Sequence, residues 1–199
     1  MDVREQGVTP DGGAGDIADA LATFARCTLG GGLPAQAAAL IDAAGQLRDR
    51  PDEAVALLER ARADAPGHPA PLIALYRFHF YGHRLAQACS AGEEALAVAR
   101  RALGAGFGAI PPTGDAVRYD AAVRFYLFTL KGLAYLQLRL GERQAARARL
   151  AELRWLDPDD VLGGALLAHV LARHEGDDEA DDAFSSSAHP ARGWAGLPL

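Results

Sequence analysis

The sequence contains few of the residues from which catalytic and redox sites are usually built. Its 199 residues include two cysteines, one lysine and no asparagine. Cys27 and Cys89 are 62 positions apart and form no CxxC motif, so neither a zinc ribbon nor a thioredoxin-type pair is expected. We therefore expect two reduced, buried thiols that pack as small apolar side chains.

The motifs of nucleotide binding and nucleophilic catalysis are also missing. The chain has no GxxxxGK[ST] loop, no GxSxG elbow and no GxGxxG between a strand and a helix. The glycines of residues 104–114 follow a predicted helix, whereas a nucleotide-binding loop follows a strand. Because no nucleophile stands with a base and an orienting group, we predict no catalytic residue, no cofactor and no enzyme activity.

Two histidines, His79 and His83, have the spacing that places side chains on one face of a helix. A stable metal site needs at least a third ligand at short range, and none is evident. The glutamate of a metalloprotease HExxH helix is replaced here by Phe80. We therefore predict no metal ligands.

The charge distribution argues against nucleic-acid binding. The net charge is −6, but residues 175–199 carry −5 and residues 1–16 carry −3, which leaves +2 for the rest. That is far below the dense Lys/Arg stripe of a nucleic-acid-binding surface. The N-terminus lacks the basic and apolar segments of a signal peptide, and no apolar run is long enough to span a bilayer. We predict a cytoplasmic protein without membrane contact.

High alanine and leucine content favours helices, and no segment alternates with period two. The clearest unit is residues 130–160, where two apolar helices flank Gly141 and the second ends at Asp157-Pro158. This unit resembles the tetratricopeptide repeat, a helical hairpin of about 34 residues that closes on a proline. Gln137 departs from the family, which usually has an aromatic residue there.

Further hairpins are predicted along the chain. Residues 34–65 match the same repeat, because Ala54, Leu58 and Ala61 precede Pro66 as Ala146, Leu150 and Leu153 precede Pro158. A helix over 69–81 closed by the turn glycine Gly82 and a second helix over 85–103 make a degenerate repeat, because the turn glycine and the following alanines are out of phase by a residue or more. A long helix is predicted from about Asp115 to Leu140, then one over 142–156 and a capping helix over 161–173.

The predicted architecture is all-α: a short solenoid of about three hairpins with flanking helices, including a short helix over residues 17–29. Residues 16–174 form the helical-repeat domain. Residues 1–15 are rich in glycine, proline and aspartate and are expected to be flexible. Residues 175–199 are acidic and then rich in serine and glycine, and are expected to be a disordered tail.

Aromatic and basic residues are concentrated on the first helices of the second and third hairpins. In a stack of this kind the first helices line the concave surface. Arginine beside an aromatic ring is a typical binding hot spot. The candidate partner-binding residues are Tyr76, Arg77, Phe80, Arg84, Arg124, Phe128, Lys131 and Tyr135. Arg77 with Arg84, and Arg124 with Lys131, are each seven apart and would share a helix face. Alternatively, most of these rings simply pack between hairpins.

These residues predict a protein-binding adaptor whose slightly basic concave face receives an acidic segment of a partner. Residues 72–88 and 124–160 also resemble small tetratricopeptide-type proteins from bacterial nitrogen-fixation gene clusters. That resemblance implies a chaperone or maturation factor for the nitrogenase molybdenum-iron protein or an assembly intermediate. The alternatives are a secretion-type helical-repeat chaperone with a more apolar groove and an accessory protein that binds a metal or small molecule.

Overall fold

The computed structural model describes residues 32–47 and 49–173, and all regular structure in these ranges is helical. The predicted helix over 17–29, the flexible N-terminus and the disordered tail lie outside the described residues. The helices are α1 (Ala35–Gly45), α2 (Pro51–Asp64), α3 (Pro69–Tyr81), α4 (Leu85–Leu103), α5 (Gly114–Tyr119), α6 (Ala121–Arg139), α7 (Arg143–Leu156) and α8 (165–173).

Three helical hairpins follow one another: α1 with α2, α3 with α4, and α6 with α7. Proline stands at the start of α2 and α3, where its fixed φ suits the first turn and its missing N–H costs no hydrogen bond. The largest apolar cluster spans α3 to α7 and includes Leu162 and Leu171 from the segment after α7. The predicted all-α stack is confirmed.

The hairpins stack so that like helices lie side by side. Tyr76 of α3 lies opposite Gly132 of α6, and Phe80 lies opposite Tyr135, so residue numbers rise in the same direction along both helices. The first helices α3 and α6 are therefore parallel. They form one layer with α1, which also packs against α3.

The second helices α2, α4 and α7 form the other layer, in which ion pairs link neighbouring helices. Arg62 of α2 meets Glu94 of α4 at 3.3 Å, and Arg149 of α7 meets Glu93 at 2.6 Å. Arg100 of α4 lies 2.6 Å from Glu152 of α7.

The predicted phase shift of the second hairpin is wrong. His83 takes the left-handed conformation (φ 56°) that Gly141 takes (φ 77°) between α6 and α7. The same closing bond forms in both turns, from Arg84 N to His79 O and from Glu142 N to Gln137 O, each at 2.8 Å. The repeat is in register because His83 supplies the turn that its neighbouring glycine was expected to make.

Three fully buried alanines mark this register: Ala54, Ala88 and Ala146. The first two are 34 residues apart and the last two 58. The extra residues lie in longer helices α4 and α6 and, for the most part, in residues 104–120, which we call the insertion.

The insertion also breaks the helix that was predicted from Asp115 to Leu140. The chain forms the short helix α5 and then leaves helical geometry at Asp120, whose φ and ψ are −78° and 120°. The Asp120 carboxylate accepts hydrogen bonds from the backbone N–H groups of Ala122 and Val123, and so begins a new helix, α6.

The capping helix begins later than predicted, at residue 165 instead of 161. The carboxylate of Asp157, which is only 3% exposed, accepts from Val161 N and Leu162 N after α7 ends. Asp160 (φ 53°) and Gly163 (φ 69°) then turn the chain before α8.

Candidate functional site

Aromatic rings join the two first helices that carry the candidate residues. Tyr76 and Phe80 stack within α3 with centroids 6.0 Å apart, and Phe80 lies 6.0 Å from Tyr135 of α6. Each such pair contributes roughly 0.5–1.5 kcal/mol beyond its buried area. The rings fill the seam between α3 and α6 and fix the two helices against each other.

Cations lie over the rings along α6. Arg124 stands 5.2 Å from the Phe128 centroid, and its guanidinium donates to the Arg118 carbonyl at 3.0 Å. Arg139 stands 5.8 Å from the Tyr135 centroid and donates to the Tyr135 hydroxyl at 2.8 Å. These contacts order the guanidinium groups and leave their charge unneutralised, since both acceptors are uncharged.

The other two cations, Arg77 and Lys131, differ in how much of their charge is exposed to solvent. Arg77 of α3 is exposed. Lys131 of α6 is half-buried, and its ammonium donates to the Leu162 carbonyl at 2.5 Å. Lys131 therefore ties α6 to the segment after α7, and it presents only part of its charge to solvent.

We use the name α3–α6 face for the surface formed by Tyr76, Arg77, Phe80, Arg124, Phe128, Lys131, Tyr135 and Arg139. Neither α3 nor α6 contains an aspartate or glutamate. No described carboxylate lies within ion-pair distance of the four cations of this face. Asp120, just before α6, is occupied with helix capping. The described ion pairs lie instead on α2, on Arg50 just before it, on α4 and on α7.

Two candidate residues are placed differently from the prediction. Arg84 does not continue the face of Arg77, because α3 ends at Tyr81 and Arg84 is the residue that precedes α4. Its guanidinium lies 5.0 Å from the Phe78 centroid. Phe128 is only 8% exposed and belongs to the main apolar cluster, so it supports the face from below.

Comparison with known proteins gives one informative relative. A protein described as an uncharacterized 19.8 kDa protein in the nifW 5′ region of Azotobacter chroococcum mcd 1 is 40% identical to this chain over 130 residues. The match covers 59% of this chain and 68% of the relative. The chain belongs to the family of this Azotobacter protein. No family model matches the chain, and no solved structure matches it significantly. The resemblance to the tetratricopeptide repeat stays a prediction.

The histidines and the cysteine within residues 32–173 that the structure describes do not assemble into a site. His79 is buried within α3, whereas His83 lies in the turn beyond it and is exposed, so the two no longer share a helix face. The described residues contain no cluster of three or more metal-binding side chains. Cys89 is half-buried, and burial together with Glu93 and Glu142 raises the pKa of its thiol.

A small cavity lies beneath the α3–α6 face. It has a volume of about 10 Å³, lies among α3, α4 and α6, and is lined mainly by apolar groups, including the rings of Tyr76 and Phe128. Burial raises the pKa of the Tyr76 hydroxyl well above its usual value of 10.0, so this group stays protonated. None of the described helices is long and apolar enough to cross a membrane.

Sequence reasoning left Arg139 out of the candidate site and missed a second polar cluster. Arg139 has the spacing of a face residue, four positions after Tyr135, and this signal was available. Between the two layers, the hydroxyl of Tyr126 from α6 bonds to both Arg100 and Glu152 of the second helices. Phe107 of the insertion packs edge-on against the Tyr126 ring, with centroids 5.1 Å apart. Burial and the bond to Glu152 raise the pKa of Tyr126 to about 12. This cluster joins α4, α6 and α7.

Proposed function

We propose that this protein is a non-enzymatic adaptor whose α3–α6 face holds an acidic segment of a partner protein. One observation carries the proposal: two helices that contain no carboxylate bear four cations, and two of these, Arg124 and Arg139, lie over aromatic rings. In the second-helix layer, by contrast, Arg62, Arg100 and Arg149 pair with glutamates within the fold. Charge that the fold does not neutralise is available to a ligand.

The physics of such a surface favours carboxylates. Each exposed ion pair contributes roughly 0.2–1 kcal/mol, so several pairs together give useful affinity only when the cations are already ordered. Arg124 and Arg139 are held in this way by ring and hydrogen-bond contacts. A patch of one sign also steers an oppositely charged partner during encounter.

The relative supports a role in nitrogen fixation, since its description places it in the 5′ region of nifW. We infer that the partner is the nitrogenase molybdenum-iron protein or an intermediate in its assembly. The adaptor would then act in the cytoplasm as a chaperone or maturation factor. A secretion-type chaperone is the competing function, but it calls for an apolar groove, and no observation on the α3–α6 face favours it over acidic ligands.

The test is binding of the full chain to purified molybdenum-iron protein, measured by biolayer interferometry at low and high salt. Arg77→Glu with Arg139→Glu reverses two face charges and is expected to weaken binding roughly tenfold, about 1.4 kcal/mol. The matched control reverses Arg60 and Arg154, which are exposed on the second helices α2 and α7. The control should bind as the unmodified chain does.

Equal binding by both double variants would show that the α3–α6 face is not the binding surface. If the molybdenum-iron protein does not bind at all, but an assembly intermediate binds in a face-dependent way, only the choice between the two partners changes. If neither binds, the proposed role in nitrogenase assembly is wrong.

A further inference from the structure

The strongest acidic run of the sequence lies directly after the described helices. Residues 175–182 contain six carboxylates, Glu175, Asp177, Asp178, Glu179, Asp181 and Asp182, and no basic residue. The α3–α6 face contains four cations and no carboxylate. The charges of the acidic run and of the face are opposite in sign.

The connection between them is short. The Lys131 ammonium contacts the Leu162 carbonyl at 2.5 Å, and residues 165–173 are helical. At about 1.5 Å per helical residue and at most about 3.5 Å per extended residue, Arg173 lies within about 25 Å of Leu162. Nine further residues, extended, span about 30 Å, so the end of the acidic run can reach Lys131 even when α8 points away from it.

We propose that residues 175–182 bind the α3–α6 face of their own chain and compete there with the acidic segment of a partner. This shares its surface with the proposed function but does not depend on any particular partner. A tether of this length gives an effective concentration on the order of millimolar, which turns several weak ion pairs into substantial occupancy. A partner must then displace the run, and so needs more contacts than charge alone provides.

Cross-linking of the full chain with a carbodiimide tests the contact directly, because this reagent joins an amine to a carboxylate without a spacer. Lys131 is the sole lysine, so background amine chemistry is low. Since its ammonium is engaged with Leu162, Arg77→Lys and Arg139→Lys provide further amines on the face. The control is Arg154→Lys on α7, which is exposed and closer in sequence to the run.

We expect mass spectrometry to identify intramolecular cross-links from positions 77 and 139 to residues 175–182, with yields about fivefold above that of the control. Salt at about 1 M, where the Debye length is near 3 Å, should abolish these cross-links. Equal yields from position 154, cross-links only between two copies, or none from the face would each overturn the proposal.

A second full-chain variant measures the competition. Replacing the six carboxylates by their amides should raise affinity for an acidic partner severalfold. Unchanged affinity would contradict competition. Conversely, cross-links to the face without binding of any nitrogenase protein would leave this proposal standing while the proposed function fails.

Discussion

Gly92 of α4 lies where three helices meet, and replacing it with alanine tests the packing of the stack. A Cβ atom at Gly92 would lie 2.9 Å from a methyl carbon of Leu133 and 3.4 Å from the Tyr76 ring. Leu133 is fully buried in the main cluster, so it has little freedom to move away. The added methyl group therefore meets atoms that are already close-packed.

Two opposing effects decide the result. Alanine favours the helix by about 1 kcal/mol relative to glycine, whereas overpacking a core costs about 1–3 kcal/mol. We expect a net loss of about 1 kcal/mol in the free energy of unfolding and a Tm lower by about 2–4 °C for a chain of this size. Chemical denaturation and calorimetry measure both quantities.

Gly45→Ala is the matched control, since nothing lies within 4 Å of a Cβ atom at that helical position. It should stabilise by up to about 1 kcal/mol. In a Leu133→Ala background, which itself costs about 2–5 kcal/mol, Gly92→Ala should become stabilising. Equal increases in Tm for Gly92→Ala and Gly45→Ala in the unmodified background would show that the contact between Gly92 and Leu133 is not close-packed.

Three further predictions concern single side chains. Tyr126→Phe removes the hydroxyl bonded to two charged groups and should lower the free energy of unfolding by about 1–3 kcal/mol in urea titrations. His83→Gly removes the backbone strain of a non-glycine residue in the left-handed conformation and should raise the free energy of unfolding by about 0.5–1 kcal/mol. An unchanged free energy of unfolding would show that His83 is not strained. Burial and, to a lesser extent, Arg84 lower the pKa of His79, and Glu59 opposes them with a smaller effect. Because the unfolded chain then binds the proton more readily, the free energy of unfolding should fall as the pH drops below the pKa of unfolded histidine, near 6.5. His79→Gln should flatten that dependence between pH 7 and 5.

Helix boundaries marked by proline or glycine were the part of the fold that the sequence predicted best. Pro69 begins α3 as expected, and α4 ends at Leu103, just before Gly104, as expected. The break at Asp120 was missed because an aspartate caps a helix only when its backbone leaves helical geometry, and local periodicity does not report that.

The second hairpin shows a different limit. Pattern matching places the left-handed turn at Gly82, but the chain puts it one residue later, at His83. Glycine there would adopt this conformation without strain; histidine does so because the packing of α3 on α4 determines the register. Ala88 then falls 34 residues after Ala54. Tertiary packing has overridden local preference.

The candidate site was predictable as a region but not residue by residue. The density of rings and cations identified α3 and α6. The sequence does not reveal that Lys131 is engaged with a carbonyl 31 residues away, or that Phe128 is almost fully buried. Cation–ring contacts such as that of Arg139 depend on rotamers, which only the folded chain defines.

The two layers of the stack differ in what joins their helices, and this gives the molecule an asymmetric response to its solvent. Dissolved ions weaken the contacts of Glu93, Glu94 and Glu152 but scarcely affect the rings between α3 and α6. Rising ionic strength should therefore weaken contacts within the second-helix layer and leave the packing of α3 against α6 almost unchanged.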